Sequence, residues 1–142
     1  MNDSVMDIAA WFVHREPMNH EKLQCLLYLS YAWFLTLNQK TLFRTEGFEA
    51  LPVMIAEMSV HQKYHHFGQK KIRMIRGKIP EGMIAEFLES VYQTYGQADG
   101  QVLCSYLRQS TPYINARKRE QGFKISRKDM VKYYAKQSAS HH

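Results

Sequence analysis

The sequence predicts a mostly α-helical single domain, about six helices packed around one central apolar helix, and three observations lead there. Apolar residues recur at i, i+3, i+4 and i+7 in several stretches. One stretch, residues 23–37, holds 12 apolar or aromatic residues out of 15, which leaves no polar stripe for water. The sustained alternation that a large sheet needs is missing. The 142 residues fit one domain without a linker, at 1–137, with a frayed tail at 138–142. With 45% hydrophobic and 23% charged residues the composition is that of a globular chain, and it excludes a disordered tail or a fibre.

The elements follow in order. Val5, Ile8, Ala9, Phe12 and Val13 share one helical face, Ser4 with Asp7 makes a capping-box-like start, and Pro17 stops the run. Residues 23–37 form the core helix, entered through Asn19 as N-cap and left at 38–40. This run falls short of the roughly 18 to 20 apolar residues a membrane span needs, and Gln24, Ser30 and Thr36 interrupt it. Between 41 and 53, Gly47 and Pro52 punctuate a loop with a small β-hairpin including Leu42, Phe43, Phe48 and Ala50. Residues 53–67 read as a helix stopped at Gly68, and the basic stretch 69–78 reads as a mobile loop.

Pro80 then opens the most periodic helix, with Ile84, Phe87, Leu88, Val91, Tyr92 and Tyr95 on one face and Gly96 at its end. A short helix at 101–109 turns Val102, Leu103, Tyr106 and Leu107 inward. Pro112 starts another, carrying Tyr113, Ala116 and Arg117. After Gly122, Ser126 and Asp129 repeat the capping signature ahead of a last helix at 127–137, with Met130, Tyr133 and Tyr134 facing in.

The chain shows no catalytic constellation, so neither an enzyme nor a cofactor is expected. His61 and His65, four apart, share a helical face as zinc ligands often do. Gln62 stands where a zinc protease carries its general base, no third ligand is in view, and Lys63 opposes a cation. No metal is expected. Cys25 and Cys104 lack a histidine partner and read as buried structural thiols. Two cysteines make no disulfide framework, and Asp3, Asp7 and Glu16 interrupt any signal peptide; the expected compartment is the reducing cytoplasm. The glycines never form a phosphate-cradling loop, and Glu86 with Glu89 sits on a solvated face.

The net charge of +6 is unevenly spread: residues 1–57 carry −3, 58–80 carry +6, 81–116 carry −3 and 117–142 carry +6. Two basic segments in an acidic background favour an acidic partner. The candidate contact residues are Lys63, Lys70, Lys71, Arg73, Arg76 and Lys78 in the first segment. In the second they are Lys118, Arg119, Lys124, Arg127 and Lys128. Aromatics interleave with these cations at Tyr64, Phe67, Phe123, Tyr133 and Tyr134, which would suit single-stranded nucleic acid. The tyrosines fall on inward positions, so packing explains them better, and nucleic acid remains the alternative reading.

Several stretches together resemble one family. Residues 7–12 (DIAAWF), 18–31 (MNHEKLQCLLYLSY) with Trp33, 48–50 (FEA), Tyr95-Gly96, and Pro112-Tyr113 with Ala116-Arg117 come in the order and spacing of the Panacea-domain family. That family is also called SocA-like and is related to GepA-type phage-associated proteins. Its most distinctive parts here are the K-L-x-x-L-L-Y-x-x-x-x-W helix from Lys22 and the P-[WY]-x-x-A-R element at Pro112. The resemblance implies a mostly helical bacterial or phage antitoxin that neutralises a cognate toxin by direct binding, with a protease as a further partner in some relatives. One departure stands out. After Ala50 the family typically carries a Trp and then Gly-Pro-Val, whereas this chain goes straight to Leu51-Pro52-Val53. Arg117, matched to the family's terminal Arg, is expected to pair with a carboxylate of the 81–89 segment and fasten the last helices.

Overall fold

The computed structural model describes residues 3–119 and 122–139. It is mostly α-helical, with two small two-stranded sheets among the described residues. Helix α1 (Val5–Arg15) starts with the reciprocal capping box its sequence predicts: Asp7 N–H donates to Ser4 Oγ at 3.2 Å, and Ser4 N–H donates to Asp7 Oδ2 at 3.3 Å. Helix α2 (His20–Asn38) is the centre. Asn19 Oδ1 accepts from Lys22 N–H at 2.9 Å, and Gln39 closes the helix in the left-handed region with φ 56°.

Every residue of α2 from Leu23 to Ala32 is buried. Its neighbours are α1, α4 (Gly82–Tyr95), α5 (Gly100–Arg108) and α7 (Arg127–Ala139). Leu23, Leu26, Leu27 and Leu29 are fully enclosed, each worth about 2 kcal/mol of transfer free energy. Tyr28 and Tyr31 pack edge-on or tilted against Phe48, Phe43 and Tyr134, which joins the helix to the strands and to α7. No helix is long and apolar enough to cross a membrane among the described residues.

The strands depart from expectation. Phe43 and Ala50 do not share a hairpin: β2 (Phe43–Arg44) pairs in parallel with β1 (Asp3–Ser4), while β3 (Phe48–Ala50) pairs antiparallel with β4 (Ile55–Glu57). The turn of the true hairpin contains Pro52 and is closed by Leu51 N–H donating to Met54 O at 2.8 Å. On the other edge of β3, Ala50 N–H donates to Phe123 O at 2.7 Å and Ile125 N–H donates to Phe48 O at 2.9 Å. Because β3 recruits 55–57 as a strand, the helix expected at 53–67 shrinks to α3 (Met58–Tyr64) and a 3-10 turn over His65–Phe67. The turn still ends at Gly68.

Two further corrections concern helix faces and ends. In α5, Leu103, Cys104 and Leu107 point inward, but Val102 and Tyr106 are exposed, because α2 covers this short helix along one narrow stripe. Helix α6 (Thr111–Arg117) follows, with Pro112 in its first turn as expected. In α7 the Ser126 cap forms, with Asp129 N–H donating to Ser126 Oγ at 3.0 Å. This helix continues to Ala139, so 138–139 are helical and not frayed; 140–142 lie outside the described residues.

Candidate partner-binding surface

Residues 69–78 form neither helix nor strand, yet they are not the free mobile loop their composition suggests. Ile72 N–H donates to Met18 O at 2.7 Å, Met18 N–H returns to Ile72 O at 3.4 Å, and the Ile72 side chain is fully buried. Ile75 is buried one step further on. Lys78 N–H donates to Asp7 Oδ1 at 2.8 Å, so the carboxylate that caps α1 also pins the end of this segment. A Cβ at Gly77 would lie 2.9 Å from that same oxygen and 3.1 Å from Met6 O, so the close approach requires glycine. At the start, Asn19 Nδ2 donates to Gln69 Oε1 at 3.2 Å.

The segment is thus a strap laid over α1 and the turn before α2. With Ile72 and Ile75 turned in, Lys70, Lys71, Arg73, Arg76 and Lys78 are left exposed, and Lys63 on α3 is exposed as well. None of these six cations makes an ion pair among the described residues. Met74, 74% exposed, stands between Arg73 and Arg76.

The second basic segment is used differently. Arg117 Nη1 donates to Ala50 O at 3.0 Å, and its guanidinium sits 4.3 Å above the Phe123 ring. It fastens α6 to β3. Its partner is therefore a backbone carbonyl and an aromatic face, not the expected carboxylate of 81–89; Glu89 there is taken by Arg15 at 2.9 Å. Arg119 pairs with Asp129 at 3.4 Å and donates to the Lys124 carbonyl. Arg127 is exposed, and its charge partly offsets the upward push that burial gives the Tyr31 hydroxyl pKa. Lys118, Lys124 and Lys128 are exposed. The two basic segments are tied to different parts of the fold, the first to α1 and the second to β3 and α6.

The histidines lie next to a buried polar network that the sequence did not reveal. Gln24 exchanges two hydrogen bonds with the backbone of Glu57, at 2.8 and 3.1 Å, and its amide nitrogen lies 3.0 Å from His20 Nε2. Burial, with His61 and His65 near, pushes the His20 pKa down to about 4. The His20 and His61 rings are 5.2 Å apart, and His61 and His65 stack at 5.0 Å. His65 Nδ1 lies 2.8 Å from His61 O, a contact local to the end of α3. Among the described residues no three His, Cys, Asp or Glu side chains are placed to hold a metal ion.

Glu57 itself is buried, and both its oxygens are engaged. Oε1 accepts from Val60 N–H at 3.0 Å and from Ser59 Oγ at 2.5 Å, while Oε2 accepts from Thr45 Oγ1 at 2.6 Å. The carboxylate works as the cap of α3. Beside it an open cleft of about 500 Å³ is lined by Val5, Arg44, Glu46, Met58 and Gln62 among others, with no histidine. The signal for this network was Gln24, a polar side chain inside an apolar run, which must find partners when buried.

A set of side chains fastens elements that are distant in the chain. Lys22 Nζ donates to Gly96 O at 2.6 Å, Trp33 Nε1 donates to Tyr95 Oη at 2.8 Å, and Tyr113 Oη donates to Leu51 O at 2.6 Å. With Arg117 on Ala50 and Asp7 on Lys78, these are fasteners between elements. They hold the fold together, and the cationic side chains of the strap take no part in them. Compared with protein-family models, with curated proteins and with solved structures, the chain matches none.

Proposed function

We propose that the protein is a non-enzymatic binding module that takes an acidic partner protein on its 69–78 strap. The single observation that carries this reading is the strap itself: its cations are outward and in no ion pair among the described residues, while two buried isoleucines hold the backbone in place. A preordered array loses less entropy on binding than a free loop would, and unpaired charge steers an oppositely charged face toward it. Exposed Met74 between Arg73 and Arg76 adds the residue types that interfaces favour. The resemblance makes the partner a cognate toxin in a bacterial or phage toxin–antitoxin system, with the cytoplasm as the place of action. Tyr64 and Phe67, the aromatics nearest the strap, are half-buried and packed on the core, which leaves them poorly placed to stack on bases.

The test is to express the neighbouring gene alone, with this chain, and with the Arg73→Glu/Arg76→Glu variant. Toxicity that wild type relieves and the folded variant does not is the expected result. A harmless neighbour, or toxicity untouched by co-expression, overturns the proposal. Binding to single-stranded oligonucleotide that is tight at low salt and collapses at physiological salt transfers the strap to the nucleic-acid reading.

A further inference from the structure

Cys25 and Cys104 meet in the core. Their sulfurs are 3.4 Å apart, both side chains are buried, and both are free thiols. The chain places them there by a close approach of two helix starts: a Cβ on Gly100 would lie 2.8 Å from Lys22 N and 3.0 Å from Asn19 Oδ1. The first turn of α5 therefore sits directly on the first turn of α2. One turn further along each helix, Cys104 faces Cys25, and Leu103 and Leu107 of α5 are buried in the same core.

We infer that Cys25 and Cys104 are a closable dithiol, and that a low-molecular-weight disulfide such as oxidised glutathione converts them into an internal disulfide that staples α5 to α2. The sulfurs need to approach by only about 1.4 Å to reach bonding distance, well within the adjustment of two side chains. The chemistry balances through two exchanges. One cysteine thiolate attacks a sulfur of the reagent, breaking its S–S bond and releasing one small thiolate, which takes up the proton given up by the cysteine. The second cysteine then attacks the mixed disulfide and releases the second small thiol. Two protein thiols are oxidised, and one reagent disulfide is reduced to two thiols.

The same burial sets the rate. The neighbouring Cys104 sulfur, and then burial, hold the Cys25 thiol well above its usual pKa, so the attacking thiolate is scarce in the closed protein. Neither sulfur is reachable until α5 lifts from α2. Closure is slow in the native state and quickens whenever that helix opens. In a reducing compartment the pair stays open; on oxidation the staple closes a loop that spans more than half the chain, where cross-links restrict the unfolded state strongly.

The experiment treats the full chain with oxidised glutathione in guanidinium just below the unfolding transition, returns it to buffer, and alkylates remaining thiols in denaturant. The expected result is loss of both free thiols, a non-reduced peptide linking Cys25 to Cys104, and a Tm raised on the order of 10 °C. Dithiothreitol should reverse all three. A Cys104→Ala variant should instead keep one glutathione adduct and show no rise. Two thiols that remain alkylatable, lasting mixed disulfides on the wild type, or a linked protein with unchanged or lower Tm each overturn the inference. The wild-type readings decide it even if the variant fails to fold.

Discussion

The two basic segments carry the same net charge and do opposite things with it. In the 69–78 strap the apolar residues Ile72 and Ile75 take the inward positions, and the cations are left to solvent. In the 117–128 stretch two arginines are engaged by the protein itself: half-buried Arg117 by Ala50 O and the Phe123 ring, and exposed Arg119 by Asp129 and the Lys124 carbonyl. The lesson is that the charge of a segment does not give the charge available to a partner. What decides is whether acceptors lie within reach. Arg117 stands beside a strand edge with a free carbonyl and an aromatic face, both of which suit a planar guanidinium. The strap passes over α1, where Asp7 is already engaged by backbone N–H groups of Ser4 and Lys78.

The largest expected effect is on the anchor of the strap. Ile72→Ala removes a fully buried side chain and should cost about 3 kcal/mol in urea unfolding, from lost transfer energy and the cavity left behind. It should also weaken partner binding beyond what instability explains, because the cations lose their fixed spacing. A loss below about 1 kcal/mol would mean that the core closes over the gap and that the strap is held elsewhere, which would break the comparison at its base.

Next comes the fastener in the other segment. Arg117→Ala should cost about 2 kcal/mol, since it leaves the Ala50 carbonyl without that donor and removes the contact with Phe123. Arg117→Lys should recover less than half, because an ammonium cannot both stack flat on the ring and reach the carbonyl. Binding of the partner by the folded variant should be unchanged. A variant of wild-type stability with impaired binding would move Arg117 into the interface and erase the contrast.

Much of this was legible in the sequence, for physical reasons that differ from place to place. Caps are local and read directly: Ser4 with Asp7, Asn19, and Gly68 each stand within a few residues of the groups they satisfy. The wrapped stretch 23–32 of α2 was legible because no face of it is polar, but the run continues to Leu37, which the fold leaves 55% exposed. The strands were legible only in part: Phe43, Phe48 and Ala50 do lie in strands, but their pairing could not be read, because two or three residues show no period and the outer partner of β3 comes from residues 123–125, far along the chain. Ile72 and Ile75 were a usable signal for the strap, three apart in a run where five of ten residues are basic, but the surrounding charge reads as solvent. The role of Arg117 as a fastener was legible, though its partner was not, since a backbone carbonyl leaves no mark in the side-chain sequence. Of the three donors on Glu57, Ser59 and Val60 are local, in the first turn of α3, whereas Thr45 comes from the loop after β2 and only the fold brings it near.

The smallest effect on stability, and the sharpest test of the contrast, belongs to the exposed cations. Arg73→Ala/Arg76→Ala removes two side chains that are solvent-exposed and outside any ion pair among the described residues, so unfolding should shift by less than about 0.5 kcal/mol. Association with the neighbouring-gene product should still weaken by at least about tenfold, with a shallower dependence on salt than wild type, because fewer charges remain to be screened. Lys118→Ala/Lys128→Ala is the matched control: it removes two exposed charges from the other segment and should change binding by less than about twofold. Equal losses in the two double variants would show that the partner responds to net charge alone, and that the ordering of the strap by Ile72 and Ile75 has no bearing on recognition.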